Sequence, residues 1–259
     1  MKVTPIKTRL VHANECTTEA LIAESIPTLE ENTVVVISSK VVALCENRVV
    51  DIDGTDKNTL IRQEASLYTP DGFSSYGSSF TITRKTLIRA AGIDESNADN
   101  HYVLWPKDPQ RSANALRAFL CEQFRVTNVG VIISDSLSVP PMRAGSIGIM
   151  LAHSGFTSLQ RLAGTKDLFG REFKVAHPAI GSGLAAAANL VMGEGTEQTP
   201  IALVSDLPFV TFQPRNPSQE ELDETYLSLE EDMYSPFFKL APWQKGGGGV
   251  PSGDPLVVA

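Results

Sequence analysis

The segment from Asp108 to Ser136 restricts the fold most strongly, because it combines a helix start, an amphipathic helix and an apolar strand. Asp108 followed by Pro109 is typical of a helix N-terminus. The next apolar residues recur at helical spacing and predict a core-facing helix of about four turns: Ala113, Leu116, Leu120 and Phe124. Residues 129–133 are apolar and mostly β-branched, which predicts a buried strand with polar residues at its carboxyl end.

Helix-like and strand-like patterns alternate elsewhere in the chain. Strands are predicted at 34–37, 48–52, 79–83, 146–153 and 201–204. Helices are predicted from Thr17 or Thr18 to Glu24, at 58–67 and, rich in alanine, at 179–192. The sequence therefore predicts a mixed α/β body over residues 1–205, an acidic C-terminal appendage at 206–242 and a flexible tail at 243–259.

The net charge of −8 is concentrated in one run, because seven acidic and no basic residues lie between Ser218 and Met233. Such a run predicts a solvated helix face, with a docking role as the alternative. The chain has no basic stripe, which argues against general nucleic-acid binding. Its apolar runs are far shorter than the ~20 residues of a membrane helix. Three widely spaced cysteines argue against a disulfide framework, so we expect a cytoplasmic protein without nucleic-acid or membrane partners.

Two polar segments in the first half of the chain are candidates for chemistry. Ser38-Ser39-Lys40 directly follows the predicted strand at 34–37. A lysine at a strand end can contact a phosphate as a point charge, and a surface lysine in a turn is the alternative. Residues 90–97 contain a glycine, two acids and an asparagine. Magnesium or manganese takes one or two carboxylates together with phosphate and water oxygens, whereas the alternative here is an ordinary Asx turn.

Two further polar segments lie in the second half. Ser134-Asp135-Ser136 ends the predicted strand that begins at Val129, where a carboxylate is well placed at a crevice. Arg143 follows and could contact an anion. Gly193 fits a helix C-cap and leaves Glu194 and Thr196 on an exposed loop. A turn-capping Asp135 and a solvated loop remain the alternatives.

The familiar nucleotide and hydrolase motifs are absent. The sequence has no Walker A pattern, no G-x-G-x-x-G, no H-E-x-x-H and no G-x-S-x-G. The four histidines, His12, His101, His153 and His177, show no metal-ligand spacing, which favours structural roles for them.

The polar segments and their neighbours, in this order, resemble the coenzyme F420-0:L-glutamate ligase family, also called the F420:γ-glutamyl ligases. The resemblance extends over roughly residues 3–205. Residues 91–97 and 167–171 are its most specific parts. The other matching segments are Ser39-Lys40-Val41-Val42, Glu46-Asn47-Arg48, Pro106-Lys107-Asp108-Pro109, Ser112-Ala113, Ile133-Ser134-Asp135-Ser136, Gly164 and Val191-Met192-Gly193-Glu194.

The resemblance implies an α+β, two-lobed fold with a mixed sheet, distinct from P-loop and Rossmann folds. It implies a GTP-dependent amide ligase that adds L-glutamate to a carboxylate acceptor, coenzyme F420-0 or a related molecule, through an acyl phosphate. It also implies a homodimer that needs Mg²⁺ or Mn²⁺, with two ions in the site.

The family pattern further implies roles for individual residues. Four of them would hold the two ions: Asp94, Asp135, Ser136 and Glu194. The nucleotide would contact Lys40, Asn97, Thr196 and the loosely matching stretch Arg9-Leu10-Val11-His12. Asp94 and Asp135 would therefore be central to catalysis, and Arg143 is a further candidate for contact with an anionic group.

The chain also departs from the family pattern. Leu44 stands where the family has a second lysine, and Ser182 and Gly183 stand where it has two carboxylates. Residues 138–143 also differ from the family's usual text. Two alternatives to coenzyme F420-0 ligation follow: a γ-glutamyl-type ligase with a different acceptor, and a non-catalytic nucleotide-binding protein.

Overall fold

The computed structural model of the protein describes residues 1–75, 77–138 and 142–249, apart from the side chain of Ser138. These residues form two compact units, each assembled from separate stretches of the chain. The first unit contains Met1–Leu10, Cys16–Val41 and Asp108–Thr225. The second contains Val11–Glu15, Val42–Lys107 and the residues from Tyr226 onward.

The α+β class predicted from the sequence is confirmed by the elements of the described chain. Its strands are β1 (Lys2–Ile6), β2 (Thr33–Ser38), β3 (Val49–Asp51), β4 (Leu67–Tyr68), β5 (Phe80–Thr83), β6 (Thr86–Arg89), β7 (His101–Val103), β8 (Val129–Ser138), β9 (Ser146–Ser154), β10 (Ile201–Ser205) and β11 (Gln244–Lys245). Its helices are α1 (Thr18–Ser25), α2 (Ser39–Cys45), α3 (Lys57–Glu64), α4 (Pro109–Phe124), α5 (Ile180–Met192), α6 (Gln219–Asp223) and α7 (Ser235–Phe238).

A five-stranded mixed sheet organises the first unit, in the order β1-β10-β2-β8-β9. Strands β2 and β8 are parallel, with Ser38 opposite Ser134, and the other neighbouring pairs are antiparallel. As a result β1, β2 and β8 end, and β9 and β10 begin, at the same end of the sheet. We call this the Ser38 end.

Local sequence signals explain the helix that packs beside β8 and β9. The Asp108 carboxylate accepts a hydrogen bond from the backbone N–H of Arg111, and Pro109 occupies the first turn, as predicted. Helix α4 ends where Arg125 adopts φ +57°. It buries Pro109, Ala113, Leu116 and Leu120. Each buried leucine contributes roughly 1.5–3 kcal/mol relative to an exposed one.

The alanine-rich helix α5 packs closely on the same sheet, as its small residues predict. Leu184, Ala185 and Ala188 join Val34 and Ile132 in one buried cluster. The contact leaves no room for a side chain on the strand, because an ideal Cβ on Gly148 would lie 2.6 Å from the carbonyl oxygen of Ala185.

The second unit is built around helix α3 and two small sheets. Strands β11-β4-β5-β6 form one sheet and β3-β7 the other. Asp56 caps α3 by accepting hydrogen bonds from the N–H and hydroxyl of Thr59. Leu60 and Ile61 of the helix pack against Ala91 and Leu104. Helix α3 therefore covers the turn around residues 90–93, which contains the first part of the predicted oxygen-rich loop.

Helices α3 and α2 are among the elements that differ from the sequence prediction. The helix predicted at 58–67 ends at Glu64, because Ser66 donates its N–H to Ile82 and Leu67–Tyr68 pairs with β5. The turn considered as the alternative for Lys40 is not present, because Ser39 begins helix α2. In both places pairing or packing with distant parts of the chain overrides the local pattern.

The C-terminal segment makes specific contacts. Helix α6 carries a capping box between Ser218 and Glu221, and Glu221 also forms an ion pair with Arg215. The acidic run is thus partly paired. The N–H groups of residues 246–249 donate to backbone carbonyls of residues 62–66. Part of the predicted tail, residues 250–259, lies outside the described residues. None of the described helices is long and apolar enough to cross a membrane.

Candidate active site

The candidate residues of the first unit come together at the Ser38 end of the sheet. Lys40 lies in the first turn of α2, two residues after Ser38, and is half-buried. Asp135 follows Ser134, the register partner of Ser38 on β8. Polar groups at the carboxyl ends of adjacent parallel strands border one crevice. Lys40 and Asp135 each come shortly after one of these register partners, and their service of a common site stays a prediction.

Asp135 and Ser136 lie within β8 rather than after it. The predicted strand stopped at Ile133, whereas β8 continues to Ser138 through pairing with β9. The register shifts between Ile133 and Ser134, an irregularity of the bulge type, which re-aims side chains and is frequent beside active sites. The Asp135 carboxylate is half-buried and accepts the N–H of Ser136 at 2.9 Å.

Glu194 is held at the same end of the sheet. Both of its carboxylate oxygens accept from the Ser146 hydroxyl at 3.1 Å, and the Asn189 side chain donates to it at 3.1 Å. Ser146 begins β9 two residues before Gly148, the register partner of Ser136. Glu194 is therefore attached to the start of β9, two residues along that strand from the partner of Ser136.

The remaining first-unit candidates lie in segments that adjoin the same end of the sheet. Gly193 ends α5 with φ +74°, as predicted, and Thr196 is exposed in the loop that leads to β10. Arg9 and Leu10 follow β1, and Arg9 pairs with Glu24 at 3.3 Å. Arg143 is exposed in the connection between β8 and β9, whose residues 139–141 lie outside the described chain.

The oxygen-rich loop of the second unit has an unusual backbone. Positive φ angles occur at six residues in this stretch: Ala90, Ala91, Gly92, Asn97, Asp99 and Asn100. A left-handed conformation costs a residue with a Cβ on the order of 1 kcal/mol. Such strain clusters at functional sites, where the surrounding structure maintains it.

The half-buried Asp94 is held at both its backbone and its side chain. Its N–H and C=O pair with Val103 at 3.1 and 2.7 Å. Its carboxylate accepts the N–H and the hydroxyl of Ser96, each at 2.9 Å. This is the Asx turn that the sequence left open as an alternative, and it also fixes the direction of a carboxylate that could bind a cation.

His12 is the other nucleotide candidate that the structure links to this loop. Its Nδ1 lies 3.0 Å from the Asp99 carboxylate, and its N–H donates to Glu15. Both Asp99 and Asn97 are exposed. Asp99 was not predicted as a site residue. Its left-handed φ distinguishes it, and the sequence does not reveal that angle.

The donor set suits a hard divalent cation without forming a cage. The described residues contain no cluster of three or more His, Cys, Asp or Glu side chains placed to hold a metal. Mg²⁺ ordinarily uses one or two carboxylates and completes its shell with water and phosphate oxygens. Asp135, Glu194 and the Ser136 hydroxyl of the first unit, and separately Asp94 of the second, offer oxygen donors of the type that such an ion takes.

His153 lies away from these residues. Its ring is 2% exposed in β9 and packs edge-on against Phe156 at 5.4 Å. Burial lowers the pKa of His153 to about 4, against the opposing effect of the Glu221 carboxylate. It pairs with Ile132, two residues before Ser134 on β8. A structural role agrees with this placement.

A separate cleft of about 590 Å³ also lies in the first unit. Four of its charged lining residues form ion pairs, Arg215 with Glu221 and Arg161 with Glu224. The acidic run contributes to its lining, whereas none of the predicted metal- or nucleotide-binding residues does.

The F420-0:gamma-glutamyl ligase family matches the chain over residues 5–206. This chain belongs to that family. A coenzyme F420:L-glutamate ligase of Methanopyrus kandleri is 37% identical over 203 residues, which are 72% of this chain and 79% of that protein. The ligase of the same name from Methanococcus maripaludis strain C6 is 33% identical over 224 residues, 80% of this chain and 89% of that protein. The one from Methanocaldococcus jannaschii is 32% identical over 215 residues, 75% and 85% of the two chains.

Two departures of this F420-0:gamma-glutamyl ligase family member from the family pattern have clear structural settings. Leu44 is 6% exposed and packs with Ala43, Ala98 and Val103, so it fills an apolar position. Gly183 lies in the first turn of α5, and an ideal Cβ there would meet nothing within 4 Å. Position 183 has space for a longer side chain, whereas the side chain at position 44 is enclosed by apolar neighbours.

Proposed function

We propose that the chain is a GTP- and divalent-metal-dependent ligase that adds L-glutamate to a carboxylate of coenzyme F420-0 or a related acceptor. The observation that supports the proposal is that Lys40, Asp135, Ser136 and the Ser146 partner of Glu194 all belong to segments at the Ser38 end of the sheet. Family membership supports the ligase class, and the nucleotide, the metal and the acceptor are part of the proposal.

The reaction is a pair of group transfers. An acceptor carboxylate oxygen attacks the γ-phosphorus of GTP, the bond to the β-phosphate oxygen breaks, and GDP leaves. The amino group of glutamate then attacks the acyl carbon of the resulting acyl phosphate. Inorganic phosphate leaves, the amine loses a proton, and an amide remains. The first step is needed because a carboxylate is a poor acyl donor at neutral pH.

The residues divide between the metal and the nucleotide. Asp94, Asp135, Ser136 and Glu194 would hold Mg²⁺ or Mn²⁺, in a site for two ions. When bound, such ions would neutralise phosphate charge and orient the triphosphate for in-line attack.

Positive and polar side chains would bind the rest of the nucleotide. The Lys40 ammonium would contact a phosphate as a point charge. Asn97, Thr196 and the stretch Arg9-Leu10-Val11-His12 would bind other parts of GTP, and Arg143 would contact a transferred or substrate anion.

Phosphate release and product mass together test the function. Protein, GTP, Mn²⁺ and L-glutamate are incubated with coenzyme F420-0 and with other carboxylate acceptors, and ATP replaces GTP in a parallel series. Acceptor-dependent phosphate release, with a product heavier by one glutamyl residue, is the expected result. A glutamyl amide formed only from a different acceptor would reassign the substrate.

A non-catalytic nucleotide-binding protein is the second candidate, favoured by the apolar setting of Leu44. It predicts GTP binding without phosphate release for any acceptor in the panel. The family resemblance also supports a homodimer, which light scattering tests directly.

A further inference from the structure

The turn that follows helix α2 holds a neighbouring stretch of the second unit at its backbone. The Glu46 carboxylate accepts the N–H of Lys107 at 3.1 Å. The carbonyl of Arg48 accepts the N–H of Leu104 at 3.0 Å. Between them, Asn47 has φ +55°, which turns the chain sharply after the helix. We call Glu46-Asn47-Arg48 the clamp turn. It matches the family pattern, and the proposed chemistry gives it no role.

The side chain of Arg48 adds a third contact to the same stretch. Its Nε donates to the Trp105 carbonyl at 3.1 Å, and its Nη2 bonds the Glu64 carboxylate at 2.8 Å. The Arg48 and Glu64 side chains are only 21% and 14% exposed. A planar guanidinium presents donors in two fixed directions, whereas a lysine ammonium is a single flexible point.

The Trp105 side chain packs against the oxygen-rich loop. Its side chain is 3% exposed and lies against Gly92. An ideal Cβ on Gly92 would be 2.4 Å from Trp105 Cε2, so the indole and the glycine backbone are in direct contact. Asp94 lies two residues after Gly92, and Val103 lies two residues before Trp105. The backbone N–H of each of these residues donates to the carbonyl of the other.

We propose that the clamp turn positions Asp94 and that Arg48 is its central positioning residue. The path runs from Arg48 to the Trp105 carbonyl, from the indole to Gly92, and through the Val103 pairing to Asp94. This inference depends on the proposed function for the role of Asp94 as a metal ligand. The geometric part, that Arg48 holds the backbone of Asp94, does not depend on it.

Physical chemistry gives the reason for such an arrangement. Residues 90–100 include several left-handed residues that persist only when their surroundings hold them. A metal ligand supported by ordered neighbours binds its ion more tightly, and loss of such outer partners typically costs about 10- to 100-fold in metal affinity. Arg48 contacts no reacting group in this scheme and acts through Trp105.

The test compares two double variants of the full-length protein. R48M/E64Q removes the buried pair without leaving a lone buried charge. R62M/D71N removes the Arg62–Asp71 pair, which also joins α3 to another part of the second unit but is exposed and does not touch Trp105. R48K retains the positive charge at position 48 and is the variant expected to disturb folding least.

Amide hydrogen exchange at Asp94 and Val103 is the first readout, and Mn²⁺ affinity in the presence of GTP, measured by electron paramagnetic resonance, is the second. R48M/E64Q should exchange at least about tenfold faster at both amides and bind Mn²⁺ about 10- to 100-fold more weakly. R48K should shift both readouts in the same direction by less, and R62M/D71N should match wild type.

Two results would overturn the inference or separate it from the proposed function. If R48M/E64Q and R48K retain wild-type exchange at Asp94 and Val103, the clamp turn does not position the loop. If wild type binds no Mn²⁺ with GTP, the proposed function fails, and the exchange comparison still decides whether Arg48 holds Asp94.

Discussion

Ser38 and Ser134 are register partners on the parallel strands β2 and β8, so the residues after them lie at one end of the same sheet. Lys40 follows the first serine and Asp135 the second. A cation and a carboxylate from segments almost a hundred residues apart thus follow register partners at one end of the sheet. This pairing is the structural basis of the proposed nucleotide–metal site.

Removing the Lys40 charge should weaken nucleotide binding. Lys40→Met is expected to raise the dissociation constant of GTP with Mn²⁺ about tenfold, because a charge-assisted contact of about 1.4 kcal/mol is lost. Isothermal titration calorimetry measures the effect. Lys2→Met is the control, since Lys2 lies on β1 at the far end of the sheet. Equal affinities of the two variants would remove Lys40 from the site.

Two glycines of the first unit should respond oppositely to alanine. Gly148→Ala should lower the free energy of unfolding by about 1–3 kcal/mol, because its Cβ would press on the Ala185 carbonyl of α5. Gly183→Ala should raise it by up to about 1 kcal/mol, because Cβ space is open in a helix. Urea unfolding measures both changes. A change in unfolding free energy of the same sign and size in both variants would contradict the close packing of α5 on β9.

Stability should depend on pH through His153. Its folded pKa of about 4 lies below the ordinary value of 6.5, because burial disfavours the charged ring. The unfolded chain therefore binds the proton more readily, so this contribution is fully present above pH 6.5 and is lost as pH falls toward 4.

Up to about 3 kcal/mol should disappear across that window. Urea unfolding at several pH values should show a shallower dependence for His153→Gln than for wild type. His177→Gln, at an exposed position, is the control. Identical slopes in wild type and His153→Gln would show that the ring titrates normally in the folded state.

Elements with strong local signals could be predicted from the sequence. Helix α4 follows from Asp108, Pro109 and the spacing of its leucines, and these residues do cap and bury it. Helix α2 was missed, because seven residues directly after a strand carry no capping pattern that separates them from a turn. The extension of β8 beyond Ile133 was missed because polar residues are held in the strand by pairing with β9.

The candidate site was predictable as residue types but not as an arrangement. A carboxylate after an apolar strand indicated Asp135, and the glycine C-cap indicated the loop of Glu194. The position of Asp135 within a strand depends on the pairing of β8 with β9, and that of Glu194 on the Ser146 hydroxyl, and no local pattern encodes either. The left-handed backbone at Asp99 and the Arg48–Trp105 contact likewise arise from tertiary packing.

The most direct test of the central claim is metal-dependent nucleotide binding by Asp135→Ala, measured by calorimetry with GTP in the presence and absence of Mn²⁺. Glu122→Ala, on an exposed part of α4, is the matched control. Asp135→Ala should lose the Mn²⁺-dependent part of GTP binding, and Glu122→Ala should retain it. Unchanged GTP affinity and unchanged Mn²⁺ dependence in Asp135→Ala would contradict the assignment of this end of the sheet as the site.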